Sequence, residues 1–224
     1  MKVDEDPPPP PTAEALEALP IFPLPDVVLF PGTILPLHIF EERYRAMTRD
    51  VMKGHKLIAV ARLRHGSSKD GEGRPAVHKI CGLGAIVASE KLGDGRWNIV
   101  LRGLGRVRIA EELPAVAPYR QVRAVPFGPA VDDDALVDGH AQIVTLCDHL
   151  ALRLDEGGDS LRELVRGERS AADTTDVLAG ALVSDPDDRQ TMLEEGDPAR
   201  RQGILIDHLA GLIRRFSPPS STRN

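Results

Sequence analysis

The sequence predicts an α+β protein: a small, partly closed β-barrel with one inserted helix, followed by a C-terminal α-helical bundle. Three observations carry this. Between residues 20 and 127, short apolar runs alternate with Pro and Gly turn signals at strand spacing. Between residues 132 and 216, apolar side chains recur at helical spacing. The charge also splits: residues 20–127 hold 17 Lys and Arg against 10 Asp and Glu, and residues 128–224 hold 10 against 19.

The elements follow in order. Residues 1–18 read as a disordered or weakly helical leader, because the proline run at 7–11 favours extended polyproline and packs no core. The barrel lobe spans 19–127. Its first apolar runs, 21–24 and 27–30, are punctuated by Pro23, Pro25 and Pro31, which implies edge positions or bulges. A strand is expected over 33–40 after the Pro31–Gly32 turn signal. The inserted helix is expected over 41–53, where Tyr44, Met47, Val51 and Met52 share helical spacing. Glu41 and Glu42 suit its first turn, and Gly54 is the expected C-cap. A buried strand follows at 57–63, then a mobile loop at 65–75. Strands are expected near 80–90, 96–109 and 119–125. Gly93-Asp94-Gly95 marks a hairpin between the first two, and Gly103 and Gly105 mark a bulge or bend.

The helical lobe spans 128–216, with a disordered tail at 217–224. Leu136, His140, Ile143, Cys147, Leu150 and Leu154 form one stripe, expected to end at Gly157-Gly158. Shorter helices are expected at 160–166 and 174–184, the latter with Val177, Leu178, Ala181 and Leu182 on one face. Asp185-Pro186 and Asp197-Pro198 each read as an N-cap with proline in the first turn. The last helix carries Leu205, Leu209, Leu212, Ile213 and Phe216 on one side.

Composition excludes several classes. No apolar run approaches the roughly 20 residues of a membrane helix. The acidic, proline-rich start has no signal-peptide core. Cys81 and Cys147 lie far apart, which fits reduced thiols in a cytoplasmic protein. No phosphate-binding loop, H-E-x-x-H or G-x-S-x-G occurs. His38 and Glu41 lack a third metal ligand nearby. Catalytic residues, metal and cofactors are therefore all expected to be absent.

Two surfaces could recognise a partner. Arg102, Arg106 and Arg108 share a strand face if the bend at 103–105 keeps the alternation, and would contact RNA phosphates. A solvated basic face is the plainer account of the same residues. Tyr44 and Trp97 sit on apolar stripes, so each is either core or the lining of a groove.

Residues 19–40, LPIFPLPDVVLFPGTILPLHIF, and their continuation HIFEERYR at 38–45 resemble the opening of the Lon protease N-terminal domain, as found in its stand-alone bacterial members. The strand 57–63, ICGLGAI at 80–86, LRGLGRVRI at 101–109 and DDRQTMLEE at 187–195 resemble later segments of that family, over about residues 19–216. The resemblance implies a PUA-like barrel, then helices, that recognises unfolded or exposed protein segments. Phe40, Tyr44 and Trp97 are the candidate polypeptide contacts. Lon's ATPase and serine–lysine residues find no positions in this sequence, so a non-enzymatic adaptor or chaperone-like role is expected, with a protease or chaperone as partner. RNA binding through the basic barrel is the alternative. A sheet edge within 21–36, or a groove between barrel and helices, would take the chain.

Overall fold

The computed structural model describes residues 2–3, 11–64, 66, 73–130 and 132–216. The expected tail at 217–224, the prolines up to Pro10 and most of the expected loop at 65–75 lie outside these residues. The chain divides into two compact units: 1–128 with 185–194, and 129–184 with 195–224.

The first unit is built on seven strands and two helices that precede residue 128. These are β1 (Lys2–Val3), α1 (Ala13–Glu17), β2 (Leu19–Leu24), β3 (Ile34–Ile39), α2 (Glu42–Val51), β4 (Leu57–Arg62), β5 (Ile80–Lys91), β6 (Trp97–Glu112) and β7 (Gln121–Pro126). Strand order is β1-β5-β4-β2-β7-β6-β3, and β5 also pairs with β6. The pairings thus run in a ring, whose narrowest seam is the two residue pairs Leu19–Val122 and Pro20–Gln121 between β2 and β7. Beyond that seam β2 changes partner and runs parallel to β4, from Ile21–Ala59 to Leu24–Arg62.

Alternation on β4 explains the core. Leu57, Ala59 and Ala61 enter one apolar cluster, which α1 covers with Ala15 and Leu16. Ile58 and Val60 enter the other, which α2 covers with Tyr44, Met47 and Val51. Both faces of β4 are dry, so all six of its residues are buried. Within the expected leader, residues 13–17 are helical: the Thr12 hydroxyl accepts from the Ala15 N–H at 3.2 Å, and the barrel buries Ala15 and Leu16.

Three expectations for this unit are corrected. Residues 27–30 form no strand. Instead Leu29 and Phe30 pass so close to β5 and β6 that a Cβ on Gly82 would collide with the Leu29 carbonyl, and one on Gly103 with the Phe30 carbonyl. The helix α2 ends at the Met52 cap, and the left-handed residue of the following turn is Lys56 (φ 57°), not Gly54. On β6 the register shifts opposite Leu83 and Gly84: Arg102 pairs with Ala85, whereas Arg106 pairs with Gly82. Four steps on one strand answer three on the other, so Leu104 is a bulge and the side-chain parity changes there.

The helix α6 (Pro186–Glu194), expected with the helical lobe, belongs to the first unit. Its side chains explain why. Arg189 donates to the Val28 carbonyl at 3.0 Å and lies 5.4 Å from the Phe30 ring centre. Gln190 donates to the Ile80 carbonyl at 3.0 Å, and Asp187 pairs with the buried Arg62 at 2.7 Å. Glu194 meets His78 at 2.8 Å. Buried Met192 and Leu193 add apolar contact beside these polar anchors.

The second unit holds a 3-10 turn (Asp133–Leu136), α3 (Val137–Ala151), α4 (Gly158–Arg166), α5 (Ala171–Leu182) and α7 (Pro198–Arg215). The expected stripe is present in Ile143, Cys147 and Leu150, but α3 stops at Ala151, short of Gly157. Gly157 (φ 83°) instead caps the start of α4, and a Cβ on Gly158 would collide with the Ala151 carbonyl. The helix α5 is buried on more than one face, since Ala172, Thr174, Thr175 and Asp176 join Val177 and Leu178, whereas Ala181 is exposed. Asp176 meets Arg201 of α7 in a buried pair at 3.2 Å. Asp197 caps α7 through the Ala199 N–H at 2.9 Å, as its sequence predicts.

Candidate functional site

The six residues singled out from sequence do not gather in one place. Arg102 and Arg108 are exposed, and Arg106 donates its Nε–H to the Leu193 carbonyl of α6 at 3.0 Å. The bulge at Leu104 sends Arg102 to the opposite strand face from Arg106 and Arg108. The shared strand face expected for the three arginines is therefore broken. Phe40 is 62% exposed and stacks on His38, with ring centres 6.3 Å apart. Trp97 is half-buried beside Lys91. His38 and Glu41 are occupied elsewhere: His38 Nδ1 lies 2.7 Å from Asn98 Oδ1, and Glu41 pairs with Arg43 at 2.8 Å. Both cysteine thiols are buried, and burial pushes each up to about 12, which makes them poor nucleophiles.

Tyr44 lines something larger. A cleft of about 380 Å³ opens between α2, the end of β2 and the segment before β7. Its apolar lining is Tyr44, Tyr119, Pro23, Pro75, Pro118, Leu63, Ala115 and Ala117, with Arg43, Arg74 and Arg120 among them.

The walls are fixed by polar contacts. Tyr44 meets Phe22 edge-on at 4.4 Å, and the Arg43 guanidinium lies 4.5 Å from its ring centre. Tyr119 donates its hydroxyl to Asp50 at 3.1 Å. Burial first, and then that carboxylate, push the Tyr119 phenol up to about 12, so it stays a neutral donor. Arg120 grips Glu112 with two bonds of 2.7 and 2.8 Å and donates to the Pro75 carbonyl at 2.9 Å. One arginine thus ties the 113–120 segment to the opposite wall. Among the described residues, the lining holds no Ser, Cys, His or Lys. Aromatic rings beside prolines suit an extended chain, which presents its side chains without internal hydrogen bonds.

The family model for the ATP-dependent protease La (LON) substrate-binding domain matches residues 18–211. The chain belongs to this family.

Solved structures agree. The N-terminal domain of Mycobacterium avium complex Lon protease superposes with a TM-score of 0.68 at 16% identity, covering 87% of this chain and 98% of that one. A Lon N-terminal domain protein from Xanthomonas campestris gives 0.62 at 26% identity, covering 85% and 97%. Among curated relatives, a Lon protease of Trichlorobacter lovleyi is 28% identical over 93% of this chain and 26% of its own length. One from Anaeromyxobacter dehalogenans is 25% identical over 85% of this chain and 23% of its own. The chain therefore spans about a quarter of the length of these relatives.

In this LON domain some of the motifs that carry the resemblance are scaffold, whereas Pro23, Arg43 and Tyr44 of the 19–45 stretch line the cleft. Gly82 lies against Leu29, Gly103 against Phe30, Arg189 of α6 beside the Phe30 ring, and Gln190 of α6 donates to the Ile80 carbonyl. Sequence reasoning missed Tyr119, Pro118, Arg74 and Arg120 as site residues. One signal was available: the proline-bounded run LPAVAPYR at 113–120, directly before the last strand. Its partners Pro23 and Tyr44 are distant in sequence, so nothing local linked them. Among the described residues, no helix is long and apolar enough to cross a membrane.

Proposed function

We propose that this LON domain is a non-catalytic recognition module for exposed or unfolded polypeptide segments, acting in the cytoplasm as an adaptor or chaperone-like factor beside a protease or chaperone. The observation that supports this best is the tyrosine- and proline-lined cleft around Tyr44 and Tyr119. It is an open surface of tyrosine and proline interspersed with arginine, which favours many weak sequence solutions over one fixed ligand. The substrate-binding description of the family points the same way. Extended segments with aromatic or aliphatic side chains are the proposed clients.

The test is a titration of fluorescently labelled, permanently unfolded protein, with the same protein in its native form as the control. The expected result is saturable binding to the unfolded form alone, with weak dependence on salt. Equal binding to both forms, or to neither, would overturn the proposal. A parallel capture from cell extract, with and without RNase, reads the partner: proteins retained after RNase fit the proposal, and loss of all species with RNase contradicts it.

A further inference from the structure

A second concavity lies apart from the cleft, at the tip of the β5–β6 hairpin. It measures about 100 Å³ and is lined by Arg45, Arg49, Lys91, Gly95 and Trp97. We propose that this notch is an oxyanion site that takes a single carboxylate or phosphoryl group. The proposal goes beyond polypeptide recognition in the cleft and does not depend on it.

Four observations carry it. First, three cations line one small space, and among the described residues no carboxylate pairs with Arg45, Arg49 or Lys91. The nearby carboxylates have other partners: Asp94 holds Arg96 at 2.6 Å and Glu90 accepts from Asn98 at 3.3 Å. Second, Arg45 is pre-positioned. Its Nε–H donates to the Gly95 carbonyl at 2.8 Å and its Nη2 to the Asp94 carbonyl at 3.3 Å, leaving Nη1 for a ligand. Third, the hairpin is shaped for that seat. Gly95 has φ 83°, and a Cβ there would collide with the Arg45 guanidinium. Fourth, Lys91 and Trp97 are direct cross-strand partners, with the ammonium 5.9 Å from the indole centre. The volume is well below the 300 Å³ or more of ordinary small-molecule pockets, so it fits one charged group and not a whole metabolite.

Trp97 is the sole tryptophan, so its emission reports on the notch directly. The experiment titrates the full chain with inorganic pyrophosphate in one arm and with a short glutamate-rich peptide in the other. Sodium chloride of equal ionic strength is the blank, and calorimetry runs alongside. Saturation by pyrophosphate alone assigns a free anion, saturation by the peptide alone assigns an acidic polypeptide, and saturation by both assigns their shared chemistry. In each case Arg49→Gln and Lys91→Gln are expected to weaken binding about tenfold, while Arg102→Gln leaves it unchanged. All three side chains are exposed, so the variants keep the fold. Absence of both heat and emission change in both arms, or undiminished affinity in Arg49→Gln and Lys91→Gln, would overturn the proposal.

Discussion

Gly82 and Gly103 hold their places by backbone clearance, because the carbonyls of Leu29 and Phe30 occupy the space of their missing side chains. Gly105 differs: nothing lies within 4 Å of a Cβ there. Gly82→Ala is therefore expected to cost about 3 kcal/mol through overpacking, whereas Gly105→Ala stays within about 1 kcal/mol of wild type. Denaturant midpoints measure both, and equal costs would remove the clearance argument. Sequence alone marked 103–105 as a bulge or bend, and the register shift at Leu104 is that bulge. The close crossing was not legible, because the crossing strand residues lie more than fifty positions from Leu29. His55 supplies a pH test. Burial lowers its pKa below 6.5, and its Nδ1 accepts the Leu57 N–H at 2.9 Å. The depressed base contributes stability in full above 6.5, and that contribution is lost as pH falls through the folded value. Wild type is expected to lose stability between about pH 7 and about pH 5 more steeply than His55→Gln. Parallel melting curves across that range would contradict this.

At the scale of elements, α6 is the decisive piece. Its N-cap signal, Asp185 before Pro186, was readable from sequence, and the Asp185 carboxylate does accept from the Asp187 N–H at 2.8 Å. Its attachment was not readable, because polar anchors leave no hydrophobic period to count. Gln190 is 2% exposed and satisfies the buried Ile80 carbonyl. Gln190→Ala leaves that acceptor bare and is expected to cost about 2 kcal/mol. Thr191→Ala, on the exposed side of the same helix, is expected to cost under about 0.5 kcal/mol. Chemical denaturation followed by Trp97 emission checks the contrast, and a neutral Gln190→Ala would mean that α6 is not anchored there. The expected strand at 27–30 fails for a related reason. An apolar run reads as a strand whether it pairs or merely crosses, and the flanking Pro25 and Pro31 carry no N–H to extend a ladder on either side of it.

For the whole molecule, the two-part α+β plan was legible because its patterns are simple: a continuous apolar run along β4, alternation along β6, and a 3-4 stripe along α3 and α7. The proposed recognition surface was legible only through Tyr44. Its partners Tyr119, Pro118 and Pro23 come from three elements, and only the fold places them around one space of about 380 Å³. The most direct measurement is the affinity of a labelled, permanently unfolded polypeptide for wild type, for Tyr119→Ala and for Phe40→Ala, with each variant's melting temperature recorded. Tyr119 is in the cleft and Phe40 is outside it. The predicted result is about a tenfold loss for Tyr119→Ala, as for truncation of an aromatic anchor, and near-unchanged affinity for Phe40→Ala. Undiminished affinity in a folded Tyr119→Ala, or a loss confined to Phe40→Ala, would contradict the assignment of the cleft as the recognition surface.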